Sequence, residues 1–154
     1  MSQQIKENIP IKNIQIGLHA SSWDEAIQLA AEPLVQAGSI KSSYVDAMIQ
    51  SVCDLGPYIA LMPGFALAHS APSDDVVRTD ISIAVFETPI TFHSENDPIY
   101  VVMCLACRDK ASHIMHLQNI AQKFLGTPDF VGQIRMCADK NELGLLLNGS
   151  CMTC

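Results

Sequence analysis

Residues 99–106 read Ile-Tyr-Val-Val-Met-Cys-Leu-Ala, an apolar run without alternation. A strand can be apolar at nearly every position only when both of its faces are covered, so the run predicts a central strand with helices packed on either side. The rest of the chain supplies those layers. Ser22 followed by Glu25 reads as a capping box opening a helix in which Ala26, Ile27, Ala30, Leu34 and Val35 recur at helical spacing, and which stops before Gly38. Pro33 lies inside it and predicts a kink or break near Glu32. A second helix is expected over 43–54, with Tyr44, Val45, Met48, Ile49 and Val52 on one stripe and Gly56-Pro57 ending it. A third runs over 110–125, where Ile114, Leu117, Ile120, Ala121 and Phe124 mark the apolar face. Two shorter helices follow, over 128–137 and after Asp139 and Glu142. Strand-length segments lie over 11–18, 58–62, 81–86 and 90–92, the last two separated by Thr88-Pro89. Helices and strands alternate too irregularly for strict βαβ units, which implies an α/β layered fold with a mixed sheet and helices on its faces.

Charge and composition exclude several functions. The net charge is −7 and the nine Lys and Arg are dispersed, so no electrostatic footprint for nucleic acid exists and basic proteins are the expected partners. No apolar run approaches the ~20 residues of a membrane span, so no direct membrane insertion is expected. The opening MSQQIKENIP lacks the basic start and apolar centre of a secretory signal, which points to the cytoplasm. There the cysteines are expected to be reduced thiols, with Cys53, Cys104, Cys107 and Cys137 as small buried apolar residues. Cys104 and Cys107 stand three apart on or just past a strand and should face opposite ways, against a shared metal or a bridge. The Cys151/Cys154 pair at the C-terminus has no assigned role.

Residues 62–72, Met-Pro-Gly-Phe-Ala-Leu-Ala-His-Ser-Ala-Pro, place His69 where an apolar run turns into a loop bounded by prolines. A neutral imidazole held there by backbone suits a nucleophile that takes a phosphoryl group on one nitrogen while the other is hydrogen-bonded. Backbone N–H groups around Ser70 are expected to cradle the phosphoryl. His113 follows the central strand near the start of a predicted helix, where the dipole favours a bound anion, and is the natural second donor. Such chemistry calls for an in-line nucleophile and donors to the phosphoryl oxygens, and for no cofactor or metal. His116, one turn after His113, is read as a surface helix residue, and His19 and His93 as loop residues. Asp74, Asp75 and Arg78 follow His69 closely; a carboxylate there orients the imidazole, receives an incoming basic partner, or belongs to a solvated loop.

Three blocks carry a resemblance: Leu55-Gly56-Pro57-Tyr58 leading into Pro63-Gly64-Phe65-Ala66-Leu67-Ala68-His69; Phe92 with Asn96-Asp97-Pro98-Ile99; and Leu105-Ala106 followed by Asp109-Lys110-Ala111-Ser112-His113-Ile114. Together they resemble the enzyme IIA component (EIIA) of the bacterial sugar phosphotransferase system, type 2 (mannitol/fructose superfamily), closest to its ascorbate-type branch. The likeness covers about 10–147 of one expected 1–154 domain. It implies a mixed sheet of about five strands, His69 as phospho-acceptor and His113 as the residue that stabilises the phosphoryl group. It also implies a relay in which HPr donates to His69, and His69 passes the group to a cysteine of an EIIB component serving an EIIC permease. Ala71 stands where ascorbate-type members often have Arg, Asp75 where Gly is usual, and the second helix lacks the Arg often found in mannitol-type members. Charge stabilisation is therefore expected to rest on His113 and backbone.

Met62, Phe65, Leu67 and Met115 are the expected apolar docking patch, on which Phe65→Asp would slow transfer without unfolding the domain. Two competing readings are a regulatory EIIA-like interaction domain whose phosphorylation state signals to a partner, and a metal or thiol-redox protein built on His113, His116 and the cysteines.

Overall fold

The apolar run becomes β5 (Ile99–Ala106), the middle of a five-stranded mixed sheet in the computed structural model, which describes residues 9–148. The other strands are β1 (Ile14–Leu18), β2 (Ala60–Met62), β3 (Phe65–Ala68) and β4 (Asp80–Ile90), in the order β1-β4-β5-β3-β2. β5 pairs antiparallel with β4 and parallel with β3, while β1 runs parallel to β4 and β2 antiparallel to β3. The helices are α1 (Trp23–Gln36), α2 (Ser42–Leu55), α3 (Lys110–Gly126), α4 (Phe130–Met136) and α5 (Lys140–Asn148).

Alternation along β5 serves two cores. Val102, Cys104 and Ala106 pack with residues of α1 and α2, whereas Val101, Met103 and Leu105 pack with Phe124, Phe130, Ile134 and Leu143 from the last three helices. All six of these strand residues are buried, which is why none of them is polar; the half-buried Tyr100 near the start of β5 is the exception along the strand.

Three expectations need correction. The first helix is unbroken across Pro33. Proline removes the N–H that the Leu29 carbonyl would accept in an intact helix, and the side chain of Gln15 on β1 donates to that carbonyl instead, at 2.7 Å. The segments 81–86 and 90–92 belong mostly to one eleven-residue strand, β4, because the register shift between Val85 and Ile90 falls around Pro89, where the missing donor costs no ladder bond. Finally, the residues before His69 are not loop. Pro63-Gly64 is a tight turn between β2 and β3, and Phe65–Ala68 is a fully buried strand. Gly64 holds φ +84° there, and a Cβ would stand 3.0 Å from Val131 Cγ1, so both backbone and space select glycine.

The capping box is as read: the Ser22 hydroxyl accepts from the Glu25 amide, and the Glu25 carboxylate accepts from the Ser21 amide. α5 repeats the device with Asp139 and Glu142. Among the described residues no helix is long and apolar enough to cross a membrane.

Candidate functional site

β3 ends at Ala68 and His69 follows at once. Parallel pairing sets Ala68 opposite Cys104, so the carboxyl ends of β3 and β5 lie side by side. From β5 the chain turns through Cys107, Arg108 and Asp109 into α3, whose first turn the Asp109 carboxylate caps by accepting from the Ser112 amide at 2.8 Å. The cap aims the first turns of α3 back over the strand ends. His69 and His113 therefore meet, with ring centroids 5.4 Å apart and planes inclined at 51°. Carboxyl ends of strands in open α/β sheets are where ligands are commonly bound.

The His69 ring is fixed from three sides. Its Nδ1 lies 2.8 Å from the Leu67 carbonyl. A carbonyl only accepts, so Nδ1 carries the hydrogen and Nε2 keeps the lone pair. The Tyr58 ring meets it edge-on at 5.3 Å, and the Tyr58 hydroxyl donates to the His69 carbonyl at 3.0 Å. Behind the ring, the Tyr44 hydroxyl accepts from the Ser70 amide at 3.0 Å and donates to the Ser70 carbonyl at 2.9 Å. Ser51, Leu55, Tyr58, Ser70, Lys110 and Ile114 complete the wall around the two histidines.

Burial is the main influence on the ionisable groups. It lowers the pKa of His69 from the ordinary 6.5, opposed by the bond to Leu67. His113 is lowered by burial first and by the neighbouring His69 and His116 rings second. Both rings are thus neutral at neutral pH, the state in which Nε2 is nucleophilic. Tyr44 is pushed far above the ordinary phenol range by burial. His113 Nδ1 is buried without a hydrogen-bond partner among the described residues.

Several expected site residues play other parts. The Ser70 amide is occupied by Tyr44, so it is not an open donor for an anion. Phe65 and Leu67 are fully buried on the α3 side of the sheet, Phe65 stacked on Phe124 at 3.8 Å, so neither side chain can meet a partner protein. Leu67 serves the site through its carbonyl alone. Among the described residues no carboxylate is hydrogen-bonded to the His69 ring. Asp74 is exposed, the Asp75 carbonyl accepts from the Lys41 amide, and Arg78 donates to the Ala37 carbonyl.

His19 faces Glu87 at 3.6 Å on the surface, and His93 sits in a loop with φ 62°. Cys104 and Cys107 are buried on opposite faces of the sheet, whereas Cys53 is exposed, contrary to its expected burial. Among the described residues no three His, Cys, Asp or Glu side chains converge on a metal position. The Cys151/Cys154 pair lies outside the described residues. Tyr44, Ser51, Leu55, Tyr58, Lys110 and Ile114 are site residues that sequence reasoning did not assign. Tyr44 registers there only as a position on the apolar stripe and Tyr58 only as part of a motif block and a strand-length segment, because their hydrogen-bond partners are distant in the chain.

The profile of the family described as "Phosphoenolpyruvate-dependent sugar phosphotransferase system, EIIA 2" matches residues 7–149. The phosphotransferase IIA component SgcA of Escherichia coli (strain K12) is 31% identical over 140 residues, covering 90% of this chain and 97% of that protein. The ascorbate-specific PTS system EIIA component of the same organism is 29% identical over 137 residues, 86% of each chain. Among solved structures, the mannitol enzyme IIA of Escherichia coli, in complex with phosphorylated mannitol enzyme IIB, superposes with a TM-score of 0.80 at 25% identity, over 92% of this chain and 98% of that one.

Proposed function

Because the chain belongs to the type 2 EIIA family of the phosphoenolpyruvate-dependent sugar phosphotransferase system, whose members are phosphotransferases, we propose that His69 is its phospho-acceptor, charged by phospho-HPr and discharged to a cysteine of an EIIB component. The observation that carries this reading is the 2.8 Å contact between His69 Nδ1 and the Leu67 carbonyl, which makes Nε2 the free nucleophile beside the His113 ring. In the first step the Nε2 lone pair attacks phosphorus, the N–P bond forms, and the bond from phosphorus to HPr breaks with its electron pair returning to HPr. In the second, a cysteine thiolate of EIIB attacks the same phosphorus and the electron pair returns to Nε2. His113, whose ring stands 5.4 Å from that of His69 in the same pocket, donates to the phosphoryl oxygens from the ring nitrogen that carries its proton.

Docking falls to exposed residues at the rim. Leu55 is 71% exposed and Ile114 45%, and with Tyr58 they border the histidines, replacing Phe65 and Leu67 as the apolar contact. A patch of this size suits partners that must leave quickly. The work takes place in the cytoplasm, where HPr and EIIB meet it, and EIIC is served only through EIIB.

Incubation with enzyme I, HPr and phosphoenolpyruvate, followed by intact-mass measurement, tests the reading. The wild type should gain one phosphoryl group and His69→Ala none. Uptake by His69→Ala equal to wild type would refute the assignment.

A further inference from the structure

We infer that the ammonium of Lys110 is the counter-charge for the phosphoryl group on His69, so that this chain holds its phosphohistidine with a lysine at the first position of α3; the inference rests on the carrier reading above. The site has a charge problem. A phosphoryl group brings about −1.5 to −2 into a protein whose net charge is already −7. The two imidazoles are both held neutral by burial, so they contribute donors but no permanent charge.

The cations near the site are few and mostly committed. Arg108 donates through its guanidinium to the Val77 carbonyl, and Arg78 donates to the Ala37 carbonyl. Of the described residues that line the pocket, Lys110 alone carries a fixed positive charge. Its side chain is exposed and has no hydrogen bond or ion pair among the described residues. The adjacent carboxylate, Asp109, is engaged with the amide and hydroxyl of Ser112. Lys110 therefore stands beside the histidine pair on a capped helix start, with a long stem able to reach an anion at the pocket. The sequence expectation that charge stabilisation rests on His113 and backbone alone is incomplete in the same respect, since the Ser70 amide is already taken by Tyr44.

The test compares wild type with Lys110→Gln and Lys110→Arg, each mixed with HPr at a fixed ratio of phosphorylated to free HPr until the intact-mass distribution is constant. The equilibrium constant for charging His69 should fall about five- to tenfold in Lys110→Gln at low salt, be largely kept in Lys110→Arg, and depend less on ionic strength in the Gln variant. Phosphorus NMR supplies a readout that a merely structural role would not move. The second ionisation of the phosphoryl group should shift to higher pH in Lys110→Gln, because loss of a nearby cation disfavours the dianion. Both variants should keep the wild-type thermal midpoint, as the side chain is exposed. If wild type takes up no phosphoryl group, the carrier reading fails and takes this one with it. If wild type is charged, but Lys110→Gln lies within about twofold of it and its phosphorus titration midpoint is unmoved, Lys110 alone is excluded.

Discussion

The hydroxyl of Tyr44 grips both main-chain polar groups of Ser70, accepting from its amide at 3.0 Å and donating to its carbonyl at 2.9 Å. One buried phenol on α2 thereby fixes the path of the chain directly after His69. Ordinarily a segment leaving a strand end would be steadied by further strand pairing, but β3 stops at Ala68. The Tyr44 clamp takes over that task, and Tyr58 adds to it through the His69 carbonyl.

Replacing Tyr44 with Phe keeps the buried ring and deletes the clamp together with the longer, 3.4 Å bond from the same hydroxyl to the Leu105 carbonyl. The Ser70 amide and carbonyl then lose their partner, at about 1–3 kcal/mol. We expect a thermal midpoint lower by several degrees and slower charging of His69. Unchanged calorimetry together with unchanged charging would show that the clamp is dispensable.

A different balance governs pH. His69 and His113 resist protonation in the folded state below the ordinary 6.5, whereas the unfolded chain binds those protons near that value. Below 6.5 the unfolded state therefore binds more protons, so the contribution of these two rings is constant above that pH and is lost as pH falls from there through the lowered folded values. Glu25 and Asp109 add their own loss only further down, since their carboxyls are held below 4.5 and 3.8 respectively. Urea titrations between pH 7.5 and 5 should show a declining midpoint in wild type and a flatter one in His113→Gln. Charging of His69 should have its acid limb below pH 6.5.

Exposure separates docking from core. Leu55→Asp should leave the thermal midpoint near wild type and slow phosphoryl transfer from HPr about tenfold, because a charge enters a desolvating rim contact. Phe65→Ala, by contrast, empties a site stacked on Phe124 and should cost about 3–5 kcal/mol, so that any loss of transfer follows loss of fold. Steady-state transfer and thermal melts on both variants check this. Normal transfer by Leu55→Asp would remove that residue from the interface.

Gln15 and Pro33 should be energetically coupled through the Leu29 carbonyl. Gln15→Ala leaves that oxygen without its donor and should lose about 1–2 kcal/mol. In a Pro33→Ala background the new amide can supply the bond, so the same Gln15→Ala change should cost less. A double-mutant cycle by urea denaturation that shows additivity would deny the coupling.

Local pattern was enough to fix the elements. The apolar run at 99–106, the capping boxes at Ser22/Glu25 and Asp139/Glu142, and the helical stripes over 43–54 and 110–125 are determined by side chains within a few residues of one another. Segments whose meaning depends on a distant partner are not legible from their own residues. Phe65–Ala68 has no alternation of its own and is a strand because β5 lies beside it, and Pro33 is tolerated because Gln15 reaches across from β1. The two histidines show the same division. Their chemistry is legible in residue type and motif, but the 5.4 Å approach, the neutral state set by burial, and the presence of Tyr44, Tyr58 and Lys110 at the pocket are products of the fold. Periodicity encodes which face of an element is apolar. Which distant residues share that face's neighbourhood, and how dry it is, depends on parallel β3–β5 pairing and on the direction in which Asp109 starts α3.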